Sequence, residues 1–125
     1  MPESAGFPKG ARILKPGDFR KIYDNGVRVT GPFFAAFCLV DPKGTRPRFG
    51  FTVPRAVGKA VDRNAIRRRL REAVRLVQHQ FAPNAQVIFN PRRPVLLAAF
   101  DDLRKEVSRV ASRFAQLSVP KDRKS

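Results

Sequence analysis

The stretch Asp62-Arg63-Asn64-Ala65-Ile66-Arg67-Arg68-Arg69-Leu70-Arg71-Glu72-Ala73-Val74-Arg75-Leu76-Val77-Gln78-His79-Gln80-Phe81 decides the fold. Ile66, Leu70, Ala73, Val74, Val77 and Phe81 recur at i, i+4, i+7, i+8, i+11 and i+15. At about 100° per residue they fill one stripe roughly 100° wide, the pattern of a helix with one face against a core. The spacing predicts a helix over 62–81, with Asp62 as N-cap and Pro83-Asn84 beyond its end. Arg67, Arg68, Arg71 and Arg75 project within about 100° of one another, beside the apolar stripe rather than inside it. The helix therefore has a dry side and a basic side. A face built for solubility mixes signs in i, i+4 pairs, yet four of the five positions 67–71 are Arg and only Glu72 interrupts. The helix N-terminus adds the positive end of its dipole, a good place for phosphate. Asn64 near that end can donate an amide proton or accept a metal-bound water.

Upstream, Phe33-Phe34-Ala35-Ala36-Phe37-Cys38-Leu39-Val40 is an apolar run of strand length, closed by the turn Asp41-Pro42-Lys43-Gly44. Arg48-Phe49-Gly50-Phe51-Thr52-Val53 follows as a second strand, with Phe49, Phe51 and Val53 on one face and Arg48, Gly50 and Thr52 on the other. Arg28-Val29-Thr30 is a candidate for a further short strand. Pro16, Asp18 and Asn25-Gly26 bound a short helix over 16–25, with Phe19, Ile22 and Tyr23 on one face. Downstream, Gln86-Val87-Ile88-Phe89 reads as a strand stopped by Pro91. A last helix over 98–117 carries Phe100, Leu103, Val107, Val110, Ala111 and Phe114 on its inner face. The sequence predicts an α+β domain, a small mixed sheet with three helices packed on it. All 125 residues form a single domain, with loose tails at about 1–11 and 119–125.

Charge narrows the partners. The 26 Lys and Arg against 10 Asp and Glu give +16 at pH 7. Such self-repulsion calls for a polyanion, either nucleic acid or an anionic membrane surface. Eighteen of the bases are Arg and eight are Lys, and Arg grips phosphate in a bidentate fork and stacks on bases. The nine bases from Arg46 to Arg71 face one acid, Asp62, so that stretch alone carries +8. No apolar run approaches the roughly 18–20 residues of a membrane span. The first residues lack a secretory signature, and the lone Cys38 excludes an internal disulfide or a site of two thiolates. The expectation is a soluble cytoplasmic protein that binds nucleic acid, not membrane.

Catalytic chemistry is hard to find in the side chains. His79 is the only histidine, and the acids are scattered apart from Asp101-Asp102, which suits a helix N-terminus. A nuclease working with protein groups wants paired acids for metal ions or a histidine pair. Cys38 inside an apolar strand reads as buried and inert. There is no phosphate-cradling glycine loop. The polypeptide is expected to have no catalytic residue, no metal site and no small-molecule substrate. The aromatics Phe19, Tyr23, Phe34 and Phe37 read either as core or as stacking platforms. A sheet this small leaves one face incompletely covered, and Phe there beside a basic rim suits single-stranded RNA.

The segment Arg48-Phe49-Gly50-Phe51-Thr52-Val53-Pro54-Arg55-Ala56-Val57-Gly58-Lys59-Ala60-Val61-Asp62-Arg63-Asn64-Ala65-Ile66-Arg67-Arg68-Arg69-Leu70-Arg71-Glu72-Ala73 resembles the signature of the bacterial ribonuclease P protein component. Asp18-Phe19 followed by Gly26, and the closing amphipathic helix, add to the likeness, which spans about 12–117. The resemblance implies a fold like the second domain of a small-subunit ribosomal protein. It also implies a left-handed crossover between parallel strands at 48–53 and 86–89, against the usual rule. In such a protein the catalytic subunit is RNA. That RNA and its Mg²⁺ hydrolyse the bond joining the 5′ leader to mature tRNA, and no cofactor is held by the protein alone. Carried over by position, Lys59, Arg63, Asn64, Arg67, Arg68, Arg69 and Arg71 face the catalytic RNA. Phe19, Tyr23, Phe34, Phe37, Arg48, Thr52 and Arg55 line a cleft for the precursor tRNA leader. The family pattern has Arg where this chain has Ala65, so one contact is missing or supplied by Arg69. Pro54 and Ala56 also depart from small polar or basic residues. The rival expectation is a ribosomal or RNA-chaperone type binding module with no enzyme attached.

Overall fold

The computed structural model describes residues 15–117. The tails expected to be loose, 1–11 and 119–125, lie outside them. The elements in order are α1 (Pro16–Asn25), β1 (Val27–Thr30), β2 (Phe34–Val40), β3 (Arg48–Phe51), α2 (Ala60–Val77), β4 (Ala85–Pro91) and α3 (Phe100–Leu117). Short 3-10 turns occupy Arg55–Val57, Gln78–Gln80 and Arg93–Leu96. The strands form one sheet in the order β1-β2-β4-β3. β2 runs antiparallel to both of its neighbours, and β3 runs parallel to β4. α2 joins that parallel pair. This is the expected α+β architecture.

Alternation along the strands separates two faces. Phe34, Ala36 and Cys38 of β2 join Phe49, Val53, Val87 and Phe89 in the main core, beneath α2 and α3. Phe37, Leu39 and Ile88 point the other way, where α1 packs with Ile22, Phe19 and Tyr23. The helices thus cover one face fully and the other in part. On α2 the buried residues are Ile66, Leu70, Ala73, Val74 and Val77, the predicted stripe. Each fully buried aliphatic side chain contributes about 1.5–3 kcal/mol.

Several boundaries differ from the expectation. Lys59, not Asp62, occupies the N-cap of α2, in an extended conformation and without a side-chain cap. The turn Arg55–Val57 ends at Gly58 just before the helix, and the Arg63 N–H bonds the Lys59 carbonyl at 2.9 Å. Asp62 instead pairs with Arg93 at 3.3 Å. At the far end α2 gives way to a 3-10 turn that holds His79 exposed, outside the long helix, while Phe81 remains buried. β4 runs two residues past Phe89, because β3 ends opposite Phe89 and Pro91 pairs only with Phe34 on the other side.

Candidate nucleic-acid interface

The uncovered part of the second sheet face is a groove of about 300 Å³. Phe37 and Arg28 form one wall, Ala35, Thr52 and Asn90 line the floor, and Pro54, Val57, Pro91 and Arg92 close the far side. The floor is low because Ala35 stands opposite Asn90 in the strand register and offers only a methyl group. Phe37 meets Tyr23 edge to face at 4.8 Å, and the Arg28 guanidinium lies 5.9 Å from its ring centre. The Tyr23 hydroxyl donates to Asn90 Oδ1 at 2.8 Å and lies 3.4 Å from Thr52 Oγ1. Arg48 bonds Asp18 at 3.1 Å and so fastens β3 to α1. Phe19 is half-buried on the same side.

Six of the seven predicted cleft residues therefore gather on this face or its rim. Phe34 does not, and the expectation for it is corrected here. It is 1% exposed and sits edge-on to Phe89 in the main core, so no base can reach its ring. Ala36 and Cys38 share that fate because α2 and α3 cover this face of β2, whereas Val40 at the strand end is exposed. Arg28, Asn90 and Arg92 line the groove and were missed. The strand signal around Arg28 points to it, whereas Asn90 lies just beyond the strand expected over 86–89 and inside the observed β4.

A second surface follows directly. Arg55 is exposed in the 3-10 turn whose neighbours Pro54 and Val57 border the groove. Gly58 and Lys59 then lead into α2. Lys59, Asn64 and Arg68 are exposed, and Arg63, Arg67 and Arg71 are half-buried. Arg63 Nε donates to the Gly58 carbonyl at 3.1 Å, and Arg67 donates to Asn64 Oδ1 at 3.2 Å. The Arg71 guanidinium lies 6.0 Å from the ring centre of Phe51, which itself stacks on Phe89. These contacts order the arginine stems along the outer side of the helix.

Two arginines of the run are otherwise engaged. Arg69 Nε donates to the Val95 carbonyl at 3.0 Å, and its other nitrogen bonds the Ala98 carbonyl. It anchors the loop after β4 through these two carbonyls. Arg75 forms a two-pronged pair with Glu72, at 3.0 Å through Nε. That hydrogen bond holds the Glu72 carboxyl below its usual range.

Cys38 is fully buried, and burial pushes its thiol up to about 12, so it is inert as a nucleophile. Among the described residues no group of three or more His, Cys, Asp and Glu could hold a metal ion. No helix among them is long and apolar enough to cross a membrane.

The family model described as Ribonuclease P matches residues 7–115. The chain belongs to the ribonuclease P protein family. Among similar proteins, the ribonuclease P protein component of Herpetosiphon aurantiacus is 33% identical over 102 residues, covering 82% of each chain. That of Chloroflexus aurantiacus is 35% identical over 111 residues, 87% of this chain and 81% of the relative. The solved RNase P protein of Staphylococcus aureus superposes with a TM-score of 0.71 at 26% identity, covering 83% of this chain and 97% of that one. The RNase P protein of Thermotoga maritima, at 23% identity and a TM-score of 0.71, shares the fold over 82% of this chain and 96% of its own. As a ribonuclease P protein, the chain is an RNA-binding part of a tRNA-processing ribonucleoprotein. Its arginine helix and its groove are the two surfaces that such a role can use.

Proposed function

We propose that this chain is the accessory subunit of an endonuclease whose RNA subunit, with its Mg²⁺, cuts the 5′ leader from precursor tRNA. In this reading the protein contributes no catalytic group. Lys59, Arg63, Asn64, Arg67, Arg68 and Arg71 meet the phosphates of the catalytic RNA. The groove with Phe37, Tyr23, Thr52 and Arg55 takes the single-stranded leader, with Phe19 and Arg48 behind it. The observation that carries the reading is the adjacency of the two surfaces. A ridge of arginines runs, through one 3-10 turn, into an aromatic groove on the same molecule. Phosphate contacts supply affinity and register, and stacking holds bases without demanding a sequence. One protein can thereby favour precursor over mature tRNA and lower the metal concentration that the RNA needs.

The test is reconstitution. Protein, a ribonuclease P RNA and precursor tRNA are mixed at low Mg²⁺, and a specific 5′ cut is followed. Strong stimulation by the protein is expected, together with RNA affinity that falls with salt at a log–log slope of roughly −0.7 to −0.9 per phosphate neutralised. A flat salt dependence, or no stimulation at any Mg²⁺ concentration, overturns the reading and favours a binding module without an enzyme.

A further inference from the structure

Asp62 is the one acid among the nine bases from Arg46 to Arg71. A stretch that binds phosphate gains nothing from a negative charge in its midst. Its place in the first turn of α2 suits the helix dipole, but the dipole does not explain its partner. That partner comes from far along the chain. Arg93, just past β4, donates from one guanidinium nitrogen to Asp62 Oδ2 at 3.3 Å and from the other to the Val57 carbonyl at 3.1 Å. Val57 borders the groove and Asp62 belongs to α2, so one planar group spans the seam between the two surfaces. Gly58 leaves the space for it, since a methyl group there would stand 2.5 Å from Arg93 Nη1. The loop that carries Arg93 is itself fixed. The Arg92 N–H bonds the Phe33 carbonyl at 2.9 Å and the Arg92 side chain bonds the Gly31 carbonyl at 2.7 Å. Arg69 of α2 holds the Val95 and Ala98 carbonyls of the same loop.

We propose that Arg93, set by Asp62, is a positioning residue that holds segment 54–59 against α2 and so fixes the spacing between the arginine helix and the far wall of the groove. The proposal rests on the two-surface reading above and names what joins the surfaces. Segment 54–59 carries exposed Arg55 and Lys59 together with Pro54 and Val57 of the wall. It lies between the Thr52 N–H, bonded to the Phe89 carbonyl at 3.0 Å, and the N-cap of α2 at Lys59. Its own backbone bonds are local, Val57 to Pro54 at 3.0 Å and Gly58 to Arg55 at 3.2 Å. Such bonds shape a turn without fixing where it stands. Arg93 adds a hold from 36 residues away on Val57 and from 31 on Asp62. Held so, the two RNA contacts belong to one body, and the second forms without a further ordering cost. Released, the wall moves independently of the helix, and the leader gains less from the grip on the catalytic RNA. The role needs geometry rather than strength, because the pair is exposed and adds little to stability. A lysine keeps the charge but lacks the planar fork that grips two acceptors at once.

The experiment uses the full chain, a ribonuclease P RNA, a precursor tRNA and the same tRNA without its leader. Two affinities are measured: that of the protein for the catalytic RNA, and that of the assembled complex for each tRNA. Asp62→Asn and Arg93→Lys are each expected to lower the preference for precursor tRNA about fivefold, with affinity for the catalytic RNA within about twofold of wild type. The double variant loses no more than either alone, because both changes break one brace. Asp62→Asn is the sharper arm, since it makes the chain more positive. A mere surface pair predicts tighter RNA binding and an unchanged preference, whereas the brace predicts a lost preference. Circular dichroism establishes that each variant is folded. Either variant keeping the wild-type preference overturns the proposal, and so do additive losses in the double variant. A loss of affinity for the catalytic RNA in Arg93→Lys as large as the loss of preference makes Arg93 a direct RNA contact and overturns it as well. Equal binding of both tRNAs by the wild-type complex overturns the leader reading and this proposal together, while a wild-type preference that the variants retain sinks this proposal alone.

Discussion

Helices α2 and α3 have the same length, 18 residues, and bury the same kind of face. Five residues of each are buried against one shared core: Ile66, Leu70, Ala73, Val74 and Val77 on α2, and Leu103, Val107, Val110, Ala111 and Phe114 on α3. Their outer faces part company. On α3, Asp101 engages both Arg104 and Lys105, and Glu106 pairs with Arg109. On α2, Asp62 reaches across to Arg93 and Glu72 engages Arg75, while Arg67 bonds the neutral Asn64 amide and Arg69 bonds backbone carbonyls. Apolar patterning alone therefore says that both helices are packed. What separates a surface that awaits a polyanion from one that is merely dissolved is where the acids stand.

The comparison can be broken first at the core. Leu70→Ala and Leu103→Ala remove fully buried side chains, and each is expected to cost about 2–5 kcal/mol in urea unfolding. A cost below 1 kcal/mol on one helix alone would end the equivalence of their inner faces. The outer faces are compared by paired charge reversal. Arg67→Glu with Arg71→Glu is expected to weaken RNA binding by about a hundredfold or more at moderate salt, whereas Lys105→Glu with Arg113→Glu costs about tenfold or less. Equal losses would show that net charge, not placement, controls binding. Next, Arg69→Ala orphans two backbone carbonyls and is expected to cost about 1–3 kcal/mol of stability, with a smaller loss of RNA affinity than Arg68→Ala relative to that cost. Smallest is Glu72→Gln. It releases Arg75, so RNA affinity should rise by about two- to threefold, while stability falls by under about 0.5 kcal/mol because the pair is exposed. The sign follows from the lowered carboxyl of Glu72. Its contribution is complete above the ordinary value of 4.5, fades as pH falls through the lower folded value, and is absent in the glutamine variant. Urea midpoints of both proteins at neutral and acid pH check this.

Much of this was legible in the sequence because period and burial agree. The spacing of Ile66 to Phe81 and the alternation of Phe49 to Val53 each name one element and one buried face, and the run Phe33 to Val40 names a strand. The order of strands was not legible: β4 inserts between β2 and β3 through contacts far apart in the chain. That order decides which aromatics are wet. Phe34 and Phe37 have the same local chemistry, and only the placement of α1 against α2 and α3 sends one inside and leaves the other in a groove. The same holds for the arginines. Arg68 and Arg69 are neighbours in sequence, yet a loop from beyond β4 arrives beside Arg69 and engages it. Asn90 was hidden because proline marks the end of many strands but tolerates the last rung of this one.

Gly26 joins α1 to β1, and its N–H closes the helix on the Ile22 carbonyl at 2.8 Å. A methyl group at that position would stand 2.6 Å from the Ile22 oxygen and 2.8 Å from the Cys38 oxygen, so two main chains would have to move apart. Among the described residues α1 is the one long helix on the groove side, and it carries Tyr23, whose hydroxyl bonds Asn90. The clearance between that helix and the sheet is thus set by a side chain that is not there. Any larger residue at this joint acts as a shim, lifting the ceiling over the floor without touching a single group that meets RNA.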